Sequence, residues 1–194
     1  MPPASDPASL LRDLSAALRH HGCRWYLFGA QAVTIWGRPR LTTDVDVTVR
    51  LESGTTEDLV ATLIAAGFRL PDGFTDEFVR ATRVLPLLHI SSGMPLDIVL
   101  AGPGLEDEFL ARAIVIAIDD FAVPVISPED LLITKVLAGR SKDVEDIRGV
   151  LRLRAASLDL AYIRRTLTAI EAALGQSDLQ PLFETELART SASR

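Results

Sequence analysis

The sequence predicts an α/β (α+β) fold: a β-sheet flanked by helices, followed by a helical C-terminal part. Three observations predict it. Short apolar runs of strand length, such as Arg24–Phe28 and Pro95–Leu100, alternate with segments whose apolar residues recur at helical spacing. From Ser127 onward the pattern is helical throughout, which sets a sheet domain at residues 1–126 and a helical part at 127–194. With 48% hydrophobic and 24% charged residues over 194 positions, the chain has enough apolar side chain to bury a core.

The elements follow in order. Asp6 before Pro7 is an N-cap with proline in the first turn, and Leu10, Leu11, Leu14, Ala17 and Leu18 form the apolar face of a helix that stops near Gly22. Arg24–Phe28 is a strand. A Gly29-Ala30 turn leads into a short helix through Trp36, a loop around Pro39, and a second strand carrying Asp44 and Asp46. Thr55 to Asp58 is a capping sequence for a helix ended by Gly67. Strands are expected at Phe78–Leu85 and Leu87–Ser91, then a turn at Gly93 into the strand Pro95–Leu100. A short helix at Glu106–Ala111 precedes strands at Ala113–Ile118 and Phe121–Val125, joined by a tight turn at Asp119-Asp120. Ser127-Pro128-Glu129-Asp130 starts a helix with Leu131, Leu132, Val136 and Leu137 on its buried side. Helical spacing returns at Val150–Arg154, Tyr162–Leu174 and Leu179–Leu187, and Arg189–Arg194 should fray.

Bulk properties exclude several classes. A net charge of −6 argues against a surface that coats nucleic acid, although Arg148, Arg152, Arg154, Arg164 and Arg165 make the C-terminal part locally basic. Those arginines either guide an acceptor such as tRNA or a protein, or simply solubilise two helices. Cys23 is the only cysteine, so an internal disulfide and a cysteine zinc site are both excluded; it reads as a small buried hydrophobe and fits a reducing cytoplasm. No stretch has the form of a secretory signal or the length of a membrane span, so a cytoplasmic protein with no membrane partner is expected.

The chemistry concentrates between Leu27 and Val49. Side chains of a strand alternate between faces, so Asp44 and Asp46 point the same way while Val45 and Val47 point into the core. Two like charges at one place call for a cation, and Mg²⁺ is a hard ion that takes carboxylate oxygens and keeps sites for water and phosphates. Asp97 is the lone charge in the apolar run Pro95–Leu100, where an unpaired acid is costly, and it completes a set of three metal-binding carboxylates. Gly29 lets backbone approach a ligand and puts the N–H groups of the next helix where a phosphate can bind. Arg38 and Arg40, just before the acidic strand, are either phosphate grips or solvated loop charges. His89 reads as a structural hydrogen-bonder rather than a catalytic base.

Gly29-Ala30, the string Arg40-x-Thr42-x-Asp44-x-Asp46, and Asp97 together resemble the active site of the polymerase-beta-type nucleotidyltransferase superfamily. Within it they look most like the small bacterial nucleotidyltransferases that include the AbiEii-like toxins of type IV toxin–antitoxin systems. The resemblance runs from the first helix to about Val150. It implies a nucleotidyltransferase-type mixed sheet over residues 1–126, with Asp44, Asp46 and Asp97 as catalytic and metal ligands. The same resemblance assigns Gly29, Ala30, Arg40, Thr42, Lys135 and Asp143 to nucleotide binding. Lys135 to Asp146 is similar to a second family motif, a lysine followed by a basic residue and Lys-Asp-x-x-Asp, in which the lysine meets the nucleotide phosphates. Without the resemblance, that run reads as a mixed-charge solvated loop. One departure stands out. The superfamily usually has Gly-Ser or Gly-Gly at the turn, and here Ala30 brings no hydroxyl, so backbone N–H groups or Gln31 would serve the triphosphate.

The expected function is a two-metal, Mg²⁺-dependent transfer of a nucleotide from an NTP, with Mn²⁺ as a substitute, to a hydroxyl of RNA such as tRNA or of a protein. In that setting the chain would be the toxin of a pair, with an antitoxin partner. Two alternatives remain open. One is a small-molecule, antibiotic-type nucleotidyltransferase, which would share every catalytic residue. The other is a catalytically weak relative that binds a partner, which Ala30 favours and the acid triad opposes.

Overall fold

The computed structural model describes residues 7–118 and 120–192. The N-cap expected at Asp6 and the first residue of the Asp119-Asp120 turn lie outside them, as do the last residues of the tail. The elements are α1 (Pro7–His21), β1 (Arg24–Phe28), α2 (Gly29–Trp36), β2 (Val45–Arg50), α3 (Thr56–Ala65), β3 (Phe68–Arg69), α4 (Asp76–Thr82), β4 (Val84–His89), β5 (Pro95–Leu100) and α5 (Leu105–Arg112). They continue with β6 (Ile114–Ile118), β7 (Phe121–Val125), α6 (Pro128–Ala138), α7 (Ser141–Arg154), α8 (Leu160–Leu174) and α9 (Leu179–Ala192). The described residues fall into two compact units. The first holds the chain up to Gln31 and Leu41–Ile126; the second holds Ala32–Arg40 and the chain from Ser127.

The first unit is a seven-stranded mixed sheet in the order β3-β4-β5-β2-β1-β7-β6. β2 runs antiparallel to β1 and parallel to β5, so it lies at the centre; Val45, Val47 and Val49 are buried as the sequence implies and Asp46 is half-buried, while Thr48 on the same face as Asp46 is buried as well. Helices α1 and α3 pack together. The N-cap of α3 is Thr55, which exchanges hydrogen bonds with Asp58 as a capping box. Phe68 and Phe109 are fully buried in this unit, and each such ring contributes on the order of 1.5–3 kcal/mol of transfer free energy.

The structure corrects the reading in several places. The strand expected at Phe78–Leu85 is instead the helix α4 followed by the start of β4: Thr75 caps it, Asp76 and Glu77 fill its first turn, and Arg83 closes it in the left-handed conformation at φ 58°. No break falls at Pro86, because β4 runs through it. Leu100 N–H donates to Arg83 C=O and His89 N–H to Met94 C=O, so residues 83, 85, 87 and 89 present their backbone to β5 and Pro86 faces away, where no ladder donor is required. β2 begins at Val45, which leaves Asp44 as the residue that leads into the strand. The mixed-charge run from Ser141 is no loop but the first half of α7.

The second unit is a helical bundle in which α6 packs on α7, α8 and α9. Ser127 accepts from the backbone of Asp130, Pro128 occupies the first turn, and Gly139 ends α6 at φ 60°. Leu137 is 40% exposed and does not join Leu131, Leu132 and Val136 in the core. Ile147, Leu151 and Phe183 are fully buried there.

Candidate active site

Asp46 and Asp97 are direct partners in the parallel β2–β5 ladder, so their side chains leave the same face of the sheet side by side. Phe28 is the antiparallel partner of Asp46, which puts the end of β1 and the first turn of α2 on the other flank of that carboxylate. The backbone of Gly29 has φ +64°, and a Cβ built there would stand 2.0 Å from Oδ2 of Asp46. Glycine is therefore required twice at this position, by its conformation and by the carboxylate packed against it. Asp44 accepts a hydrogen bond from the Thr42 hydroxyl, which ties the loop to the acid.

Burial, and then the charge of Asp44, push the Asp97 carboxyl above the ordinary range for an aspartate. Crowded like charges of this kind are what a divalent cation relieves. Among the described residues no group of three or more His, Cys, Asp or Glu side chains is arranged so that it could hold a metal ion. An open arrangement of carboxylates suits Mg²⁺ nonetheless, since that ion usually takes one or two carboxylates and fills its octahedron with water and substrate phosphates. The Asp46–Asp97 pair offers oxygens of the kind such an ion takes. Ala30 is 5% exposed, so its methyl group is packed away and any anion at this turn would meet backbone N–H groups.

The remaining candidates lie in the second unit. Lys135 is 6% exposed, and its Nζ donates to Asp143 Oδ1 at 3.0 Å and pairs with Asp146 Oδ2 at 2.8 Å. Arg40 meets Asp146 through two bonds, Nε to Oδ1 at 3.0 Å and Nη2 to Oδ2 at 3.3 Å. Arg140 closes the chain on Asp143 at 2.5 Å and 3.2 Å. Burial raises the Asp143 carboxyl, but the hydrogen bonds from Arg140 and Lys135 and their charges outweigh it, and the group is held below its ordinary value. Asp146 and Arg140 are members of this cluster that the residue-by-residue reading left out. The three-residue spacing of Asp143 and Asp146 on one helix face was the signal for the first.

A cavity of about 310 Å³ opens beside this cluster, lined by Arg38, Arg40, Arg148 and Arg152 with Glu145 and Asp146. A cavity of about 680 Å³ in the first unit has no part in the carboxylate chemistry. Leu85 and Leu100 line it, and they alternate with the acids and so face the opposite side of the sheet. His89 also lies on that side, buried, with Nε2 at 3.0 Å from Asp13 and Nδ1 at 2.8 Å from Ser92, in keeping with a structural role.

The family model described as "Nucleotidyltransferase of unknown function (DUF6036)" matches residues 10–179. The chain belongs to this nucleotidyltransferase family. No curated protein matches the sequence. The fold of this DUF6036 member is shared by solved structures of low identity. The antibiotic-resistance factor ANT(2'')-Ia, in its solution structure, is 19% identical at a TM-score of 0.57, over 89% of this chain and 97% of that one. The lincosamide antibiotic adenylyltransferase LnuA, bound to lincomycin, is 17% identical at 0.52, over 75% of this chain and 96% of that one. An antigenic nucleotidyltransferase-like protein from Paracoccidioides brasiliensis is 16% identical at 0.54, over 91% of both chains. No described helix of this family member is long and apolar enough to cross a membrane.

Proposed function

We propose that this DUF6036 nucleotidyltransferase is a metal-dependent enzyme that transfers a nucleoside monophosphate from an NTP to an acceptor hydroxyl. The observation that carries the reading is the pairing of Asp46 with Asp97 beside the Gly29 turn. Asp44, Asp46 and Asp97 are the residues that would hold Mg²⁺, or Mn²⁺ in its place. When bound, a pair of such ions supplies charge neutralisation for the triphosphate and for the attacking and leaving oxygens.

The chain's own groups do the rest. Thr42 orients Asp44 through its hydroxyl, and the backbone at the start of α2 receives a phosphate in place of the missing serine hydroxyl. Asp97, with its carboxyl raised, takes the proton of the acceptor hydroxyl as that oxygen bonds to the α-phosphorus. The bond from the α-phosphorus to the oxygen bridging the β-phosphorus breaks, and pyrophosphate leaves. In the second unit, Lys135 anchors Asp143 and Asp146, and Arg40 is held by Asp146.

For the acceptor, the cavity lined by four arginines supports an anionic one such as tRNA, or a protein, in a toxin held by an antitoxin partner. A second reading, modification of an antibiotic-like small molecule, draws on the fold shared with ANT(2'')-Ia and LnuA. Incubation with labelled ATP, CTP, GTP and UTP against tRNA, protein extract and aminoglycoside or lincosamide acceptors tests both. Label retained on one acceptor class supports transfer and selects the class. Failure to label any acceptor in the presence of Mg²⁺ or Mn²⁺, with no pyrophosphate released, would overturn the enzymatic reading.

A further inference from the structure

The two edges of the sheet are built differently. The β3 edge is two residues long and carries the exposed Arg69, both of which discourage pairing with another strand. The β6 edge is Ile-Val-Ile-Ala-Ile, with no charge, no proline and no bulge against β7. It is not buried: Val115 is 67% exposed and Ile114 39%. An apolar edge strand open to solvent is a template for another strand.

The direction of its backbone groups can be worked out. Ile126 N–H donates to Leu27 C=O across the β1–β7 pair, so residues 124 and 126 turn their backbone toward β1, and 121, 123 and 125 turn theirs toward β6. Their ladder partners are Ile118, Ile116 and Ile114. The N–H and C=O groups of Val115 and Ala117 therefore point out from the sheet. These two residues lie symmetrically about Ile116.

We propose that β6 is a homodimer interface, in which two copies pair antiparallel about a two-fold axis at Ile116 and join their sheets. In that register Val115 of each copy exchanges backbone hydrogen bonds with Ala117 of the other, and Ile114 stands opposite Ile118. All the outward groups are satisfied by an identical strand, as an isologous contact requires. The charges at the strand ends select the same arrangement. Arg112 ends α5 just before β6, and Asp120, which is paired with Arg12, follows it, so an antiparallel partner sets the basic end of one strand beside the acidic end of the other, where a parallel one would set like ends together.

Sedimentation of the full chain tests the proposal. The wild type is expected at twice the 21.1 kDa chain mass. Val115→Lys, at an exposed position, should sediment as a folded monomer. Ala117→Pro, which removes an N–H that faces away from β7, should weaken the dimer as well. In a Cys23→Ala background, Ile116→Cys should form a reductant-sensitive dimer, because residues 116 face each other in a non-hydrogen-bonded pair, where side chains are closest. A monomeric wild type, a dimer that survives Val115→Lys, or a dimer in which Ile116→Cys fails to cross-link would each overturn the pairing. Association only with a different protein, the wild type alone remaining a monomer, would overturn it equally.

Discussion

Gly29 and Asp46 are packed so closely that any side chain at residue 29 would enter the space of the aspartate carboxylate: the built Cβ stands 2.0 Å from Oδ2 and 2.7 Å from Cγ. The turn that begins α2 and the acid at the centre of the sheet are thus one structural unit. Gly29→Ala should push Asp46 out of register with Asp97 and abolish nucleotide transfer. The strained backbone should cost about 1–3 kcal/mol of stability. Activity assays alongside thermal melting check this, and an alanine variant with full activity would break the proposed link.

Thr42→Val removes the hydroxyl that donates to Asp44 and leaves the rest of the loop in place. Loss of a group that orients a metal-binding residue typically costs about 10-fold or more in affinity or activity. The expected outcome is a drop in turnover and a higher Mg²⁺ requirement with melting temperature nearly unchanged. A metal titration of the two proteins measures it.

Asp143 is fully buried and carries bonds from both Lys135 and Arg140. Asp143→Asn weakens the pairing of a buried ammonium, an effect on the order of 3 kcal/mol when one partner of such a pair is removed. Urea unfolding should show the loss. Lys135→Met, which removes the charge and keeps much of the volume, leaves Asp143 and Asp146 with Arg140 and Arg40, and should cost less than the asparagine variant costs.

Acid should act on the second unit through the same carboxylates. Asp143 is held low by Arg140 and Lys135 against the opposing effect of burial. Glu171 is held low by Gln180 and the backbone of Leu179, Glu184 by Arg164, and Glu186 by Arg148. A carboxyl whose value in the folded chain lies below its unfolded value favours folding when ionised. That stabilisation is complete above the ordinary carboxylate range and is lost as pH falls through the depressed values. Melting temperature should therefore hold between about pH 7 and 5 and fall below about pH 4. A rise in stability on acidification would contradict the ion-pair assignments.

Much of this architecture is legible in the sequence, and the exceptions have physical reasons. β1 and β5 can be read directly because each is a short apolar run bounded by turn residues, and α3 and α6 because their N-caps announce them. The region from Phe68 to His89 resists reading. α4 is seven residues long with Val79 as its buried residue, too little for a periodic pattern, and it ends at a left-handed arginine where glycine would have given a signal. Pro86 imitates a strand break because sequence does not say which way its nitrogen faces. The carboxylates Asp46 and Asp97 could be paired from their places in two apolar runs. The role of Gly29 could not, since its contact with Asp46 depends on a strand register that spacing does not reveal. The salt-bridge cluster of Lys135, Asp143 and Asp146 looks from sequence like solvated charge, and only the packing of α6 against α7 buries it.

The measurement that bears most directly on the central claim is nucleotide transfer by Asp97→Asn. Wild type and variant should be compared with the labelled NTP and acceptor that give the strongest signal, and with their thermal stabilities measured in parallel. If Asp46 and Asp97 form the reacting centre, the variant keeps the fold and loses transfer by about 1,000-fold or more, as expected when a group that takes part in proton transfer and metal binding is removed. A folded Asp97→Asn protein that transfers nucleotide at the wild-type rate would contradict the account.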